Sequence, residues 1–194
     1  MRLIINLVLV VLIFGLVYVL YGSISEPIEF KAEKDKRKSA VVDRLIAVRQ
    51  AQELYRDVTG EFANDFDSLK YVIRTGKVMI IKPSQDPDDP GNADAIIYDT
   101  LYEDAMVRAQ TLELNLDSLE YIPFSNGKTF QIKADTLTYQ KTLVNVVEVS
   151  TVWKEFMGPY ADIRFSRYDN GYDPNAILKF GNMNAPNTSG NWER

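Results

Sequence analysis

Between Leu3 and Tyr21 the chain reads LIINLVLVVLIFGLVYVLY, nineteen residues among which only Asn6 and Gly15 are clearly non-apolar. As a helix rising ~1.5 Å per residue this run extends roughly 29 Å, the thickness of a bilayer's hydrocarbon core. Ser23 and Ser25 place small residues where a signal peptidase could cut. A signal peptide's apolar region, however, usually covers only about 7 to 15 residues. Tyr18 and Tyr21 also fit the aromatic belt of a membrane interface. The sequence therefore predicts an uncleaved, single-pass anchor, with almost no chain ahead of it.

Orientation is less direct. Lys31, Lys34, Lys36, Arg37 and Lys38 come after the run, against Arg2 before it, and a plain positive-inside count would hold the head in the cytoplasm. The basic cluster starts well beyond the apolar run, and a first helix with a minimal leading tail commonly exports the rest of its chain. The expectation is an inner-membrane anchor with a periplasmic head. The cluster itself reads as a face at the lipid headgroups, or as a solvated helix start interleaved with acids.

Composition narrows the function classes. The 194 residues are 46% apolar and 11% aromatic, enough for one soluble domain with a real core once the anchor is set apart. A net charge of -5 argues against a nucleic-acid partner, which needs a surplus of Lys and Arg on one face. Cys and His are both absent, which removes disulfides, thiolate nucleophiles, Cys/His zinc sites and the usual general base near neutral pH.

Along the chain, Pro27 predicts a break after the anchor and a short extended neck from Ser23 to Phe30. Val41, Leu45, Val48, Gln52 and Tyr55 then recur at steps of four and three, flanked by Val42, Ile46 and Leu54. That spacing predicts an amphipathic stem helix from about Lys31 to Val58, ended by Gly60. Asp65 or Asp67 is placed to cap a second helix carrying Phe66, Leu69, Tyr71, Val72 and Ile73, with Gly76 as its stop. KVMIIK reads as a strand, PSQDPDDPGNAD as a loop, and AIIYDTLYED as a strand leading into a helix. Asn126-Gly127 lies between apolar runs and predicts a hairpin. TLVNVVEVSTVW supplies another strand, and ADIRFSRYDNGYDPNAILKFG two short ones around a turn. Only Trp192 is available to tie down the polar tail. The fold class expected is α+β: a transmembrane helix, then an amphipathic stem helix packed on an antiparallel β-sheet head. Its divisions are an anchor over 1–22, a juxtamembrane neck over 23–39, a head with its stem helix over 40–181, and a tail over 182–194.

The layout of apolar helix, amphipathic RLIAVRQAQELYRDVTGEF and strand-rich lobe resembles that of type IV pilins and type II secretion pseudopilins. Ala51, Leu54, Tyr55, Asp57, Gly60 and Phe62 carry the likeness, over roughly residues 40–70. In that family this region closes the membrane-linked helix and passes the chain to the head. The family's acidic position inside the apolar run and its leader-peptidase site have no counterpart here. FKAEKDKRKSAVVDRLIAVRQAQELYRDVTGEF, YIPF and SGNWE are similar to segments of a group of membrane-anchored Bacteroidota proteins of no settled activity. The triplet Asp, Ser or Thr, Leu occurs four times, at Asp67, Asp99, Asp117 and Asp135. It resembles the periplasmic O-glycosylation signal of Bacteroidota, which makes Ser68, Thr100, Ser118 and Thr136 the candidate acceptors. The same residue types cap helices and start turns, so the triplets equally fit the starts of secondary-structure elements.

Other candidate chemistry is sparse. Asp86, Asp88, Asp89, Asn92 and Asp94 offer oxygen ligands for Ca²⁺, but the twelfth position of that loop is Ile97 where an EF-hand needs Glu. A solvated loop is the simpler reading. Asp169, Asn170 and Asp173 form a second such cluster, more simply a turn. Ser125 and Lys128 match Ser-x-x-Lys without the partner motifs that catalysis would need. Nothing singles out a pair among the 27 carboxylates for glycoside hydrolysis. No catalytic, cofactor or metal residue is therefore assigned. The function expected is a non-enzymatic, membrane-anchored structural or scaffolding component of an envelope assembly. Its partners would be membrane or periplasmic proteins, or further copies of itself. A periplasmic binding module for sugar, peptide or calcium is the alternative, and a carboxylate-based hydrolase comes third.

Overall fold

The computed structural model describes residues 2–85 and 96–193. The acidic stretch from Asp86 to Asp94 lies outside the described residues. A single helix, α1 (Arg2–Thr59), carries the chain from the apolar run to the head. It is followed by α2 (Phe66–Thr75), strands β1 (Lys77–Gln85) and β2 (Ile96–Asp104), and α3 (Ala105–Thr111). Strands β3 (Gln131–Tyr139), β4 (Thr142–Val152) and β5 (Ile177–Gly181) complete the β structure, with α4 (Trp153–Phe156) and two 3-10 turns, Gly158–Tyr160 and Ile163–Arg167, between β4 and β5. The strands form an antiparallel pair, β1-β2, and a separate antiparallel sheet in the order β3-β4-β5. The class is α+β, with a long N-terminal apolar helix and small antiparallel sheets.

No extended neck is present: α1 runs through Pro27 without interruption. An internal proline removes one helix hydrogen bond and costs ~3 kcal/mol, but its φ is itself helical. Contacts just beyond the proline offset that cost. Phe30 is 1% exposed and stacks on Phe165 with centroids 5.1 Å apart. Burying such a ring contributes about 1.5–3 kcal/mol, before the aromatic pairings are counted.

Farther along α1, Val41, Leu45 and Val48 are fully buried, and Tyr55 is half-buried at the margin of the stripe. They pack in one cluster with Leu69 and Ile73 of α2, Ala105 and Ala109 of α3, Val147 and Val149 of β4, and Phe180 of β5. Gln52 lies inside that cluster, its amide hydrogen-bonded to Ala63. Gly60, at φ 85°, receives the chain at the end of α1, and its N–H donates to the Arg56 carbonyl at 2.8 Å. Asp65 caps α2, accepting from the Ser68 N–H at 2.7 Å.

The main hairpin turns elsewhere than expected. Asn126 and Gly127 do adopt positive φ, but they close only a short loop with a single bridge between Tyr121 and Thr129. Pro123 has no N–H for a ladder, and the Ser125 hydroxyl takes over the turn by donating to the Ile122 carbonyl and accepting from the Lys128 N–H. The long hairpin joins β3 to β4 at Gln140 and Lys141, both at positive φ between the paired Tyr139 and Thr142. That is the backbone a two-residue hairpin loop requires. Of the two strands expected around the turn after Ala161, the first is instead the 3-10 turn Ile163–Arg167. Asp162 caps it by accepting from the Arg164 N–H at 2.9 Å, and the turn delivers Phe165 to Phe30. The tail returns to the sheet at a bridge between Phe180 and Gly190, with Trp192 packed against the core.

Candidate functional site

Among the described residues, a dense set of specific contacts joins the stem to the head just beyond the apolar run. One face of α1 presents Glu26, Phe30, Lys34 and Arg37, which recur at the three- and four-residue spacing of one helix side. The segment 156–172 wraps against that face. Glu26 accepts from the Tyr168 hydroxyl at 2.6 Å and from Arg167 at 3.1 Å, with the Arg164 guanidinium 3.9 Å away. Lys34 pairs with Asp169, and Arg37 donates to the Phe156 carbonyl at 2.9 Å. Around Phe30 stand Phe165 in a stacked arrangement, Tyr172 edge-on at 5.1 Å and Tyr160 at 5.9 Å.

Protonation reflects this geometry. The Tyr168 hydroxyl, then the Arg167 and Arg164 charges, hold the Glu26 carboxyl below its ordinary range. Lys34 does the same for Asp169, helped by the Gly171 N–H. Burial, followed by the charges of Asp162 and Asp173, pushes the Tyr172 phenol up to about 12. It donates to the Tyr160 carbonyl at 2.6 Å. The seam fixes the head on the helix through charge-assisted hydrogen bonds and packed rings.

Lys34 and Arg37 of the basic run are engaged in that seam. Lys34 is held by Asp169, Arg37 by Glu33 and Phe156, and Lys36 by Glu33 at 3.2 Å. Asp169 accordingly belongs to the stem contact, while Asp173 accepts from the Asn175 N–H in a local turn. Lys128 lies 3.9 Å from Glu155, and the Ser125 hydroxyl is committed to its turn.

The four acceptor candidates fall on a helix, on a loop and on two strands. Ser68 lies in the first turn of α2 and donates to Asp65 at 2.9 Å. Thr100 is exposed on β2, paired with Ile81. Ser118 occupies a half-buried loop whose backbone carbonyl accepts from Arg44. Thr136 is exposed on β3 and donates to Asn145 at 2.8 Å. The triplets therefore share no common structural use. A polar cleft of about 480 Å³ lies beneath the tail, and its charged side chains are already paired, Lys179 with Glu148 and Glu193 with Arg49 at 2.8 Å.

Sequence reasoning misses the seam because Glu26 and Phe30 read as part of an extended neck and the head half reads as a strand and a turn. The usable signal is the aromatic density of PYADIRFSRYDNGY, four aromatics with no strand-like alternation. No family model, curated protein or solved structure matches the chain.

Proposed function

We propose that the protein is a non-enzymatic, single-pass structural or scaffolding component of an envelope assembly, pilin-like in layout, with its head in the periplasm. The carrying observation is that one helix serves two surroundings. Its first part is apolar and exposed on every side, with residues 3–21 at membrane-spanning length. Its last part is the buried stem of the head. Such a helix ties the orientation of the head rigidly to the membrane, a property a scaffold needs and a tethered diffusible enzyme does not. The pilin-like reading draws support from the stem packed on an antiparallel sheet.

Two measurements test this. Protease applied to spheroplasts should digest the head, and crosslinking followed by purification of the full-length protein should recover envelope proteins or further copies in fixed stoichiometry. A head protected from protease would refute the periplasmic orientation. A chain recovered only as a monomer after crosslinking in intact cells would refute the scaffold.

A further inference from the structure

We propose that the 3-10 turn Ile163–Arg167 is a lipid-contact element, with Arg164 and Arg167 donating to the phosphates of the membrane surface and Ile163 resting among the headgroups. The inference rests on the proposed membrane anchor. Glu26 is five residues beyond Tyr21 and therefore ~7.5 Å farther along the helix axis. The headgroup layer adds roughly 5–8 Å to each side of the hydrocarbon core. Whatever grips Glu26 thus lies at phosphate level, and the groups that grip it are Arg164, Arg167 and Tyr168.

Exposure adds the second argument. Ile163 is 59% exposed, and the Arg164 and Arg167 side chains are 60% and 59% exposed although both reach toward Glu26. A guanidinium carries five donors in a fork suited to phosphate, and one carboxylate leaves several of them free. Arg164 and Arg167 also lie over the rings of Phe165 and Tyr168, at 4.6 Å and 4.5 Å, which holds their planes in place. Glu26 and Asp162 nearly cancel the local charge, so the contact depends on hydrogen bonds to phosphate and on burial of Ile163, and it forms on zwitterionic lipid too. Lys34, one of the basic residues that the sequence places at the headgroups, is less suited because it already pairs with Asp169.

The chain has no cysteine, so Ile163→Cys carries a unique label. The full-length variant, labelled with an environment-sensitive fluorophore, is reconstituted into phosphatidylcholine vesicles with and without a headgroup-attached nitroxide lipid. Thr75→Cys, at the far end of the stem, is the control. The label at position 163 should lose most of its emission to the nitroxide while the control keeps its own. Arg164→Gln combined with Arg167→Gln should restore emission, whereas Glu26→Gln, which loosens the same stem contacts but keeps both arginines, should leave the quenching in place. Equal emission at the two positions in an inserted chain overturns the lipid contact, as does quenching lost equally in Glu26→Gln. Relief of quenching by inorganic phosphate would assign the arginines to a soluble anion. Emission that tracks protein density in quencher-free vesicles would assign the surface to a second copy. A chain extracted by alkaline carbonate fails earlier, as an anchor, and removes both readings.

Discussion

Gln52 and Ala63 hold each other through two hydrogen bonds, the Gln52 amide donating to the Ala63 carbonyl at 3.0 Å and its oxygen accepting from the Ala63 N–H at 2.9 Å. The side chain thus acts as a strand partner for the chain leaving α1. Gln52 is fully buried among apolar neighbours, so both backbone groups of Ala63 depend on it. Gln52→Leu keeps the volume and orphans both groups. Each unsatisfied group costs about 1–3 kcal/mol, and the variant should lose roughly 2–6 kcal/mol in urea unfolding of the full chain in detergent. Wild-type stability in this variant would show that water or a backbone shift replaces the amide.

The apolar stripe offers a test of packing against self-association. Leu45 is fully buried between the stem and the head. Leu45→Ala should cost about 2–5 kcal/mol, and Leu45→Asp should leave no cooperative melting transition. If Leu45→Asp keeps its Tm and loses only oligomerisation, the stripe is an interface between copies.

Two glycines at similar φ separate backbone strain from steric exclusion. Gly60 has φ 85° with open space where a Cβ would stand, whereas Gly181 has φ 81° and a Cβ there would collide with the Val147 carbonyl oxygen. Gly60→Ala should cost about 1–2 kcal/mol, the left-handed penalty alone. Gly181→Ala must also push β5 away from β4 and should show much the larger fall in Tm. Equal effects would mean that the close approach relaxes without consequence.

Acid should loosen the stem seam. The folded chain holds the Glu26 and Asp169 carboxyls below their ordinary values of 4.5 and 3.8, so below those values the unfolded chain binds protons more readily. The stabilisation is complete above the ordinary values and is lost as pH falls through them to the lower folded ones. Tm measured into acid should therefore decline less steeply in Glu26→Gln, Asp169→Asn than in the parent. Parallel curves would mean that the seam does not set the acid limb.

How much of the fold is legible in the sequence depends on how local each cause is. The stem stripe, Gly60, the cap at Asp65 and the stop at Gly76 are decided within a turn or two of chain, and they stand where the spacing places them. The helix through Pro27 is decided by Phe165 and Tyr172, far away in sequence, whose rings enclose Phe30. The hairpin at Gln140 and Lys141 carries no turn signal of its own. The nine paired positions between β3 and β4 impose it, while the stronger local signal at Asn126-Gly127 lacks flanking strands to join. The seam is illegible for the same reason, since Glu26 meets Tyr168, and Lys34 meets Asp169, only after the head has folded back along the stem.

The turn at Asp169 finally offers a test of a calcium-dependent binding head against a scaffold. In the sequence Asp169, Asn170 and Asp173 resemble a set of oxygen ligands. In the fold Asp169 accepts from Lys34 and from the Gly171 N–H at 2.9 Å, and Asp173 accepts from the Asn175 N–H at 2.8 Å. A hard cation at this turn would have to displace an ammonium from its carboxylate and break the backbone bonds that shape the turn. Millimolar Ca²⁺ should therefore raise the Tm of the full chain no more than it raises that of Asp169→Asn, since only a ligand bound by the folded state raises it. Asp169→Asn should lower Tm with or without Ca²⁺, because it weakens the grip on Lys34. A calcium-dependent rise in Tm that disappears in Asp169→Asn would make the turn a metal site and the seam its switch.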